Sequence, residues 1–99
     1  MLEAIAKTQR ECFAAGIQFA RTEGIVPAPE ATEAIAAAIE EALRCKESGE
    51  AKVILTALCG HGHLDLPAYD AYLSGAMQDD ALSDAAIEAA TASLPQVPA

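Results

Sequence analysis

The amino-acid sequence predicts an α/β fold in which two main helices flank one buried parallel strand, with short helices after it. Three observations carry that expectation. Ala31, Ile35, Ala38, Ile39, Ala42 and Leu43 recur at helical spacing and form one apolar stripe. "KVILTAL" is apolar almost without alternation, as in a parallel strand covered on both faces. The glycine-rich "CGHGHLD" follows it at once. Helix, glycine turn, buried strand and glycine-rich loop make one half of an α/β unit.

The first helix is expected over residues 2–20, where Leu2, Ile5, Cys12, Phe13, Phe19 and Ala20 fall near one face. Gly16 interrupts this pattern at a cost of up to about 1 kcal/mol relative to Ala, which either a close packing partner or simple tolerance explains. Gly24 ends the helix, and Pro27 and Pro29 hold the next stretch extended. The second helix is expected over 30–47, with Pro29 suited to its first turn and Glu30 placed favourably against the helix dipole. Glu40 and Arg44 form an i, i+4 pair, and Gly49 lies just beyond the end. The strand is expected at 53–58. "LPAYDAYLSGAM" then reads as a short helix with Tyr69, Tyr72 and Leu73 on one side. Residues 78–99 form an acidic, Ala-rich tail, weakly helical around 82–92 and frayed at its Pro-containing end.

This inventory is incomplete. A buried parallel strand needs neighbours on both edges, and "GIVPAP" is short and proline-broken. Unpaired backbone on both sides is unstable in a core. The missing strands must come from a partner, a swapped copy, or a further part of the polypeptide.

The totals narrow the function. The chain has 99 residues, about one small domain, and alanine supplies much of its 53% hydrophobic content, so its core is thin. A net charge of -9 repels phosphate backbones and argues against nucleic acid as a partner. No apolar run approaches membrane-spanning length, and the N-terminus lacks a signal pattern. Cys12, Cys45 and Cys59 are odd in number and widely spaced, which points to a reducing compartment, by default the cytoplasm.

The cluster from Cys59 to Asp65 admits several chemistries. Cys59, His61, His63 and Asp65 alternate and would share one face of an extended strand as metal ligands. The glycines favour a turning loop instead, and no second Cys or His group completes a tetrahedral site. A nucleophilic Cys59 activated by either histidine needs a pocket that one strand and a few helices scarcely provide. His61 and His63 also serve as simple strand-end hydrogen-bonding groups. The favoured reading is a loop lining a ligand crevice, because ligands of open α/β sheets sit at the carboxyl ends of strands. Glycines there let the backbone approach a flat ring.

"ECFAAGIQFARTEGIVPAPEATEAI" followed by "KVILTALCGHGHLD" resembles the C-terminal part of tryptophan synthase β chains, most closely the second, indole-salvaging branch. The resemblance covers about residues 2–72. It implies that residues 1–77 are the C-terminal portion of a catalytic domain with the type II fold of pyridoxal-phosphate enzymes. It implies a parent enzyme, a cytoplasmic homodimer, that joins L-serine and indole into L-tryptophan and water, with pyridoxal 5'-phosphate as cofactor. The family's Schiff-base lysine and phosphate-binding loop lie upstream of the matching region. Lys7, Lys46 and Lys52 stand in no matching context, so the chain by itself is expected to be inactive.

By the same resemblance, Glu23 in "TEGI" matches a carboxylate beside the cofactor. Cys59 matches a serine facing the pyridine nitrogen, and Gly60 keeps the backbone close to the ring, as Gly62 does. Glu33 and Ala31 depart from the family's usual histidine and serine. His61 and His63 fit the second-branch form of the loop, which assigns them no role. Two rival readings remain: a free-standing helix-rich interaction protein, and part of another β-replacing or deaminating enzyme of the same fold.

Overall fold

The structure, a computed structural model, describes residues 1–79 and 83–95. Its elements are α1 (Gln9–Glu23), α2 (Pro29–Ser48), α3 (Leu66–Leu73) and α4 (Asp84–Thr91).

Helix α1 starts later than the apolar periodicity implies. Thr8 and Glu11 form a capping box. The Glu11 N–H donates to Thr8 Oγ1 at 3.3 Å, and the Thr8 N–H donates to Glu11 Oε2 at 2.8 Å. Both groups are spent closing the helix end, so residues 2–7 stay outside it, and Leu2 and Ile5 are exposed. At the other end α1 runs past Ala20 to Glu23. Gly24, at φ 72°, then donates its N–H to Ala20 O at 2.9 Å.

Helix α2 has Pro29 in its first turn and is closed by Gly49 at φ 74°. Arg44 bonds the Glu40 carboxylate at 2.6 Å, the pair expected from the spacing, and Glu41 at 3.0 Å. Lys7 also pairs with Glu40, and Lys52 lies 3.0 Å from Glu41, so the segments before α1 and after α2 are both tied to α2.

The core lies where α1 packs on α2 and α3. Cys12, Phe13, Ala15 and Gly16 are buried on α1, and Ala31, Thr32 and Ile35 on α2. Gly16 has the close partners that explain it. A Cβ there would stand 2.8 Å from Thr32 Cγ2 and 2.9 Å from Tyr69 Oη. Phe13 meets Tyr69 edge-on at 4.9 Å and stacks on Tyr72 at 5.9 Å. Leu73, expected on the same side as these tyrosines, is exposed.

The expected buried strand at 53–58 is not formed. Residues 51–60 have no regular structure, and Val53 and Leu55 are 99% and 94% exposed. A strand exists only through hydrogen bonds to a neighbour, and among the described residues nothing pairs with this one. The β-type pairing that does form uses the stretch read as broken by proline. Pro27 and His61 make an antiparallel bridge, with the Ala28 N–H donating to Gly60 O at 3.0 Å and the Gly62 N–H to Val26 O at 2.8 Å. Pro27 occupies the non-hydrogen-bonded position, where an N–H would point away from the partner, so its absence costs the pairing nothing.

In the tail, Ser83 caps α4 through a 3.2 Å bond from the Ala86 N–H, and no residue of α4 is buried. Asp79 accepts the Arg10 N–H at 2.9 Å. Leu82, where the tail helix was expected to begin, and residues 96–99, expected to fray, lie outside the described residues.

Candidate functional site

The loop that begins at Cys59 is positioned by its backbone. After the two bonds to residues 26–28, the Asp65 N–H donates to Gly62 O at 3.0 Å and closes a turn. The Asp65 carbonyl then accepts from Ala68 and Tyr69 as α3 begins. Gly62 is obligatory here: a Cβ would lie 2.6 Å from Pro27 O, 2.9 Å from Val26 Cγ1 and 3.0 Å from Tyr69 Cε2. Gly60 is tight for a related reason, its Cβ position being 3.1 Å from that of Ala28. Both glycines therefore serve the protein's own packing.

Tyr69 holds this arrangement together. It is 4% exposed, and its hydroxyl donates to Pro27 O at 2.6 Å. A buried phenol needs such a partner. Burial, and then the nearby Asp65 carboxylate, push its pKa up. Thr32, wholly buried, donates its hydroxyl to Pro29 O within the first turn of α2. Beside it, burial pushes the Cys12 thiol's pKa up. Sequence reasoning placed Tyr69 only on a helix face. The signal available was a tyrosine in a chain with 4% aromatics, close to a glycine pair.

The residues expected at a ligand crevice, Glu23, Cys59 and Gly60, lie on different elements. Cys59 is a free, exposed thiol, and Gly60 is partly exposed. Glu23, also exposed, lies at the end of α1 and lines an open groove with Phe19, Ile35, Ile39, Ile54 and Thr56. Cys59 and Gly60 do not line that groove. Gly60 thus belongs to the bridge, Cys59 precedes it in the chain, and Glu23 belongs to the apolar groove between the helices and residues 54–56.

His61 and His63 are both exposed, with ring centroids 4.7 Å apart and the His63 N–H donating to His61 Nδ1 at 3.3 Å. Among the described residues, no group of three or more His, Cys, Asp or Glu side chains is placed to hold a metal ion. No described helix is long and apolar enough to cross a membrane.

No protein-family model matches the chain, and no solved structure matches it significantly. Curated proteins do. The chain is 62% identical over 78 residues to tryptophan synthase beta chain 2 of Aquifex aeolicus, a match covering 79% of this chain and 18% of that protein. It is 56% identical over 78 residues to the protein of the same name from Methanosarcina mazei, with the same coverage of each chain. Tryptophan synthase beta chain of Thermococcus onnurineus is 52% identical over 75 residues, covering 76% of this chain and 17% of that one. A continuous match of 78 residues in a chain of 99 must include residues 22–78, and so Glu23, the bridge and the whole Cys59–Asp65 loop. The chain spans about a fifth of the length of these relatives. It belongs, as a segment matching their C-terminal part, to the tryptophan synthase beta chain family.

Proposed function

We propose that this chain supplies the C-terminal part of a tryptophan synthase β-like lyase that joins L-serine and indole and releases water. The observation that carries this is the 62% identity running through both the Glu23 turn and the Cys59 loop. On this reading residues 1–77 belong to the catalytic domain, residues 78–99 are an appended tail, and the parent is a cytoplasmic homodimer. The Schiff-base lysine comes from elsewhere in the polypeptide, and the 99-residue chain makes no tryptophan by itself.

The donor set fits one edge of a pyridoxal phosphate site rather than a whole one. Cys59 offers an accessible neutral thiol and Glu23 an accessible carboxylate. Bound pyridoxal phosphate supplies the electron sink for loss of the serine hydroxyl. Cys59 is assigned to face the ring nitrogen as a weak, uncharged hydrogen-bonding group. Gly60 brings backbone to the ring edge, and Glu23 sits beside the cofactor as a proton-holding group.

The test is a chimera in which this chain replaces the matching stretch of the Aquifex aeolicus protein. Cys59→Ser should keep cofactor binding and most tryptophan formation, because both side chains are neutral and similar in shape. Cys59→Asp should depress tryptophan formation and shift the cofactor's absorbance, because a carboxylate favours a protonated ring nitrogen. Parent-like behaviour of Cys59→Asp would remove Cys59 from the cofactor.

A further inference from the structure

Four hydrogen bonds around Tyr69 form a closed ring. Its hydroxyl donates to Pro27 O at 2.6 Å, and its backbone N–H donates to Asp65 O at 3.3 Å. The Asp65 N–H donates to Gly62 O at 3.0 Å, and the Gly62 N–H donates to Val26 O at 2.8 Å, next to Pro27. Three of these four links join backbone to backbone. The Tyr69 hydroxyl is the one side-chain group in the ring, and so the one member that a substitution can remove alone.

The ring joins the two segments that carry the proposed site. Glu23 ends α1 just before the 26–28 turn, and Cys59 immediately precedes Gly60, whose carbonyl accepts the Ala28 N–H at 3.0 Å. Without the hydroxyl, the loop is held to 26–28 by two backbone bonds at a single isolated bridge, about which it can twist. Core filling does not account for the group. A phenylalanine fills the same space and still meets Phe13 edge-on, with no hydroxyl to satisfy. Seating the hydroxyl also adds to the demand on α1. A Cβ at Gly16 would stand 2.9 Å from Tyr69 Oη, as well as 2.8 Å from Thr32 Cγ2, and glycine inside a helix is unfavourable relative to alanine.

We propose that Tyr69 is a positioning residue, whose hydroxyl fixes the Cys59 loop relative to the Glu23 turn and so sets where the thiol and the carboxylate stand. The inference rests on the reading that places those two residues beside the cofactor. Tyr69 acts through the backbone of 26–28 and 60–62, so its effect is local. The hydroxyl also satisfies a carbonyl beside the wholly buried Pro27 side chain, and a purely structural role would end there. Loss of a purely structural bond loosens all elements together, whereas loss of a positioning bond loosens the bridge first.

The experiment compares Tyr69→Phe with the parent, by amide exchange in the 99-residue chain and by kinetics in the chimera. Ala28 and Gly62 donate the two bridge bonds, and their amides should exchange at least about tenfold faster in Tyr69→Phe. Amides in the middle of α1 and α2 should change by less than about threefold. Gly62→Ala, which presses on the Pro27 carbonyl from the loop side, should give the same pattern. In the chimera, Tyr69→Phe should lower kcat for tryptophan formation about tenfold, with the KM for L-serine changed by less than about threefold. Exchange like the parent's overturns the proposal, and so does acceleration shared by every element. A local change at the bridge with a parent-like kcat overturns it too. The cofactor assignment fails separately. If Cys59→Asp behaves like the parent while Tyr69→Phe loosens the bridge and lowers kcat, Cys59 leaves the cofactor and Tyr69 still positions the loop.

Discussion

The Tyr69 knot and the 53–58 stretch are both rich in apolar residues and have opposite fates. Around Tyr69, the buried side-chain hydroxyls have partners within this chain: the phenol has Pro27 O and the Thr32 hydroxyl has Pro29 O. Among the described residues, no buried side-chain nitrogen or oxygen lacks a hydrogen bond. Residues 53–58 are more hydrophobic but have no backbone partners, and they stay in water. Hydrophobicity decides what would gain from burial; satisfied backbone decides what is buried.

Substitutions that treat the two regions alike should separate them sharply. Tyr69→Ala should be the most damaging, costing about 3–5 kcal/mol in urea unfolding, because it empties the core and leaves Pro27 O unpartnered. A loss below about 1 kcal/mol would mean that the knot is not the stabilising centre. Gly62→Ala comes next, at about 1–3 kcal/mol, since its methyl would meet a backbone oxygen that cannot swing aside. Thr8→Ala should cost about 1 kcal/mol through loss of the α1 cap. At the bottom of the scale, Val53→Asp with Leu55→Asp should change the free chain's stability by less than about 0.5 kcal/mol. Those last two residues become sensitive only if something covers them.

The same contrast has a pH form. Tyr69 and Cys12 both have raised pKa values because folding buries them. A raised folded value means that stability is fully present below the unfolded pKa and is lost as pH rises towards the folded one. The unfolded references are 9.0 for the thiol and 10.0 for the phenol, so the urea midpoint should begin to fall above about pH 9. Glu11 is lowered by its capping bonds to Thr8, so its contribution is lost at the acid end, as pH falls below the ordinary carboxylate range. Tyr69→Phe should flatten the alkaline limb, and Glu11→Gln the acid one, because Gln cannot titrate. Unchanged limbs in both variants would show that other groups set the pH range.

Much of the helical architecture was legible because its signals are local. Gly24, Gly49 and Pro29 mark ends that need no tertiary context. The late start of α1 was legible in principle, since Thr8 and Glu11 spell a capping box, but Leu2 and Ile5 extend the apolar period past it. The strand expected at 53–58 is unformed for a different reason. "KVILTAL" has the composition of a buried strand, and composition cannot supply the neighbour that makes it one. Pro27 was discounted because proline lacks an N–H, yet that group is idle at the position Pro27 takes in the bridge. The family was legible from "FARTEGIVPAPE" and "CGHGHLD". The positions of Glu23 and Cys59 relative to each other were not, because one belongs to the end of α1 and the other to a loop beyond α2.

Pro27 also limits further pairing. In the bridge it takes the non-hydrogen-bonded position, so neither its nitrogen nor its carbonyl is bonded to His61. The nitrogen has no hydrogen to give, and the carbonyl is already held by Tyr69. Residue 27 therefore offers a further strand neither a donor nor a free carbonyl, and pairing is shut off there by chemistry rather than by bulk.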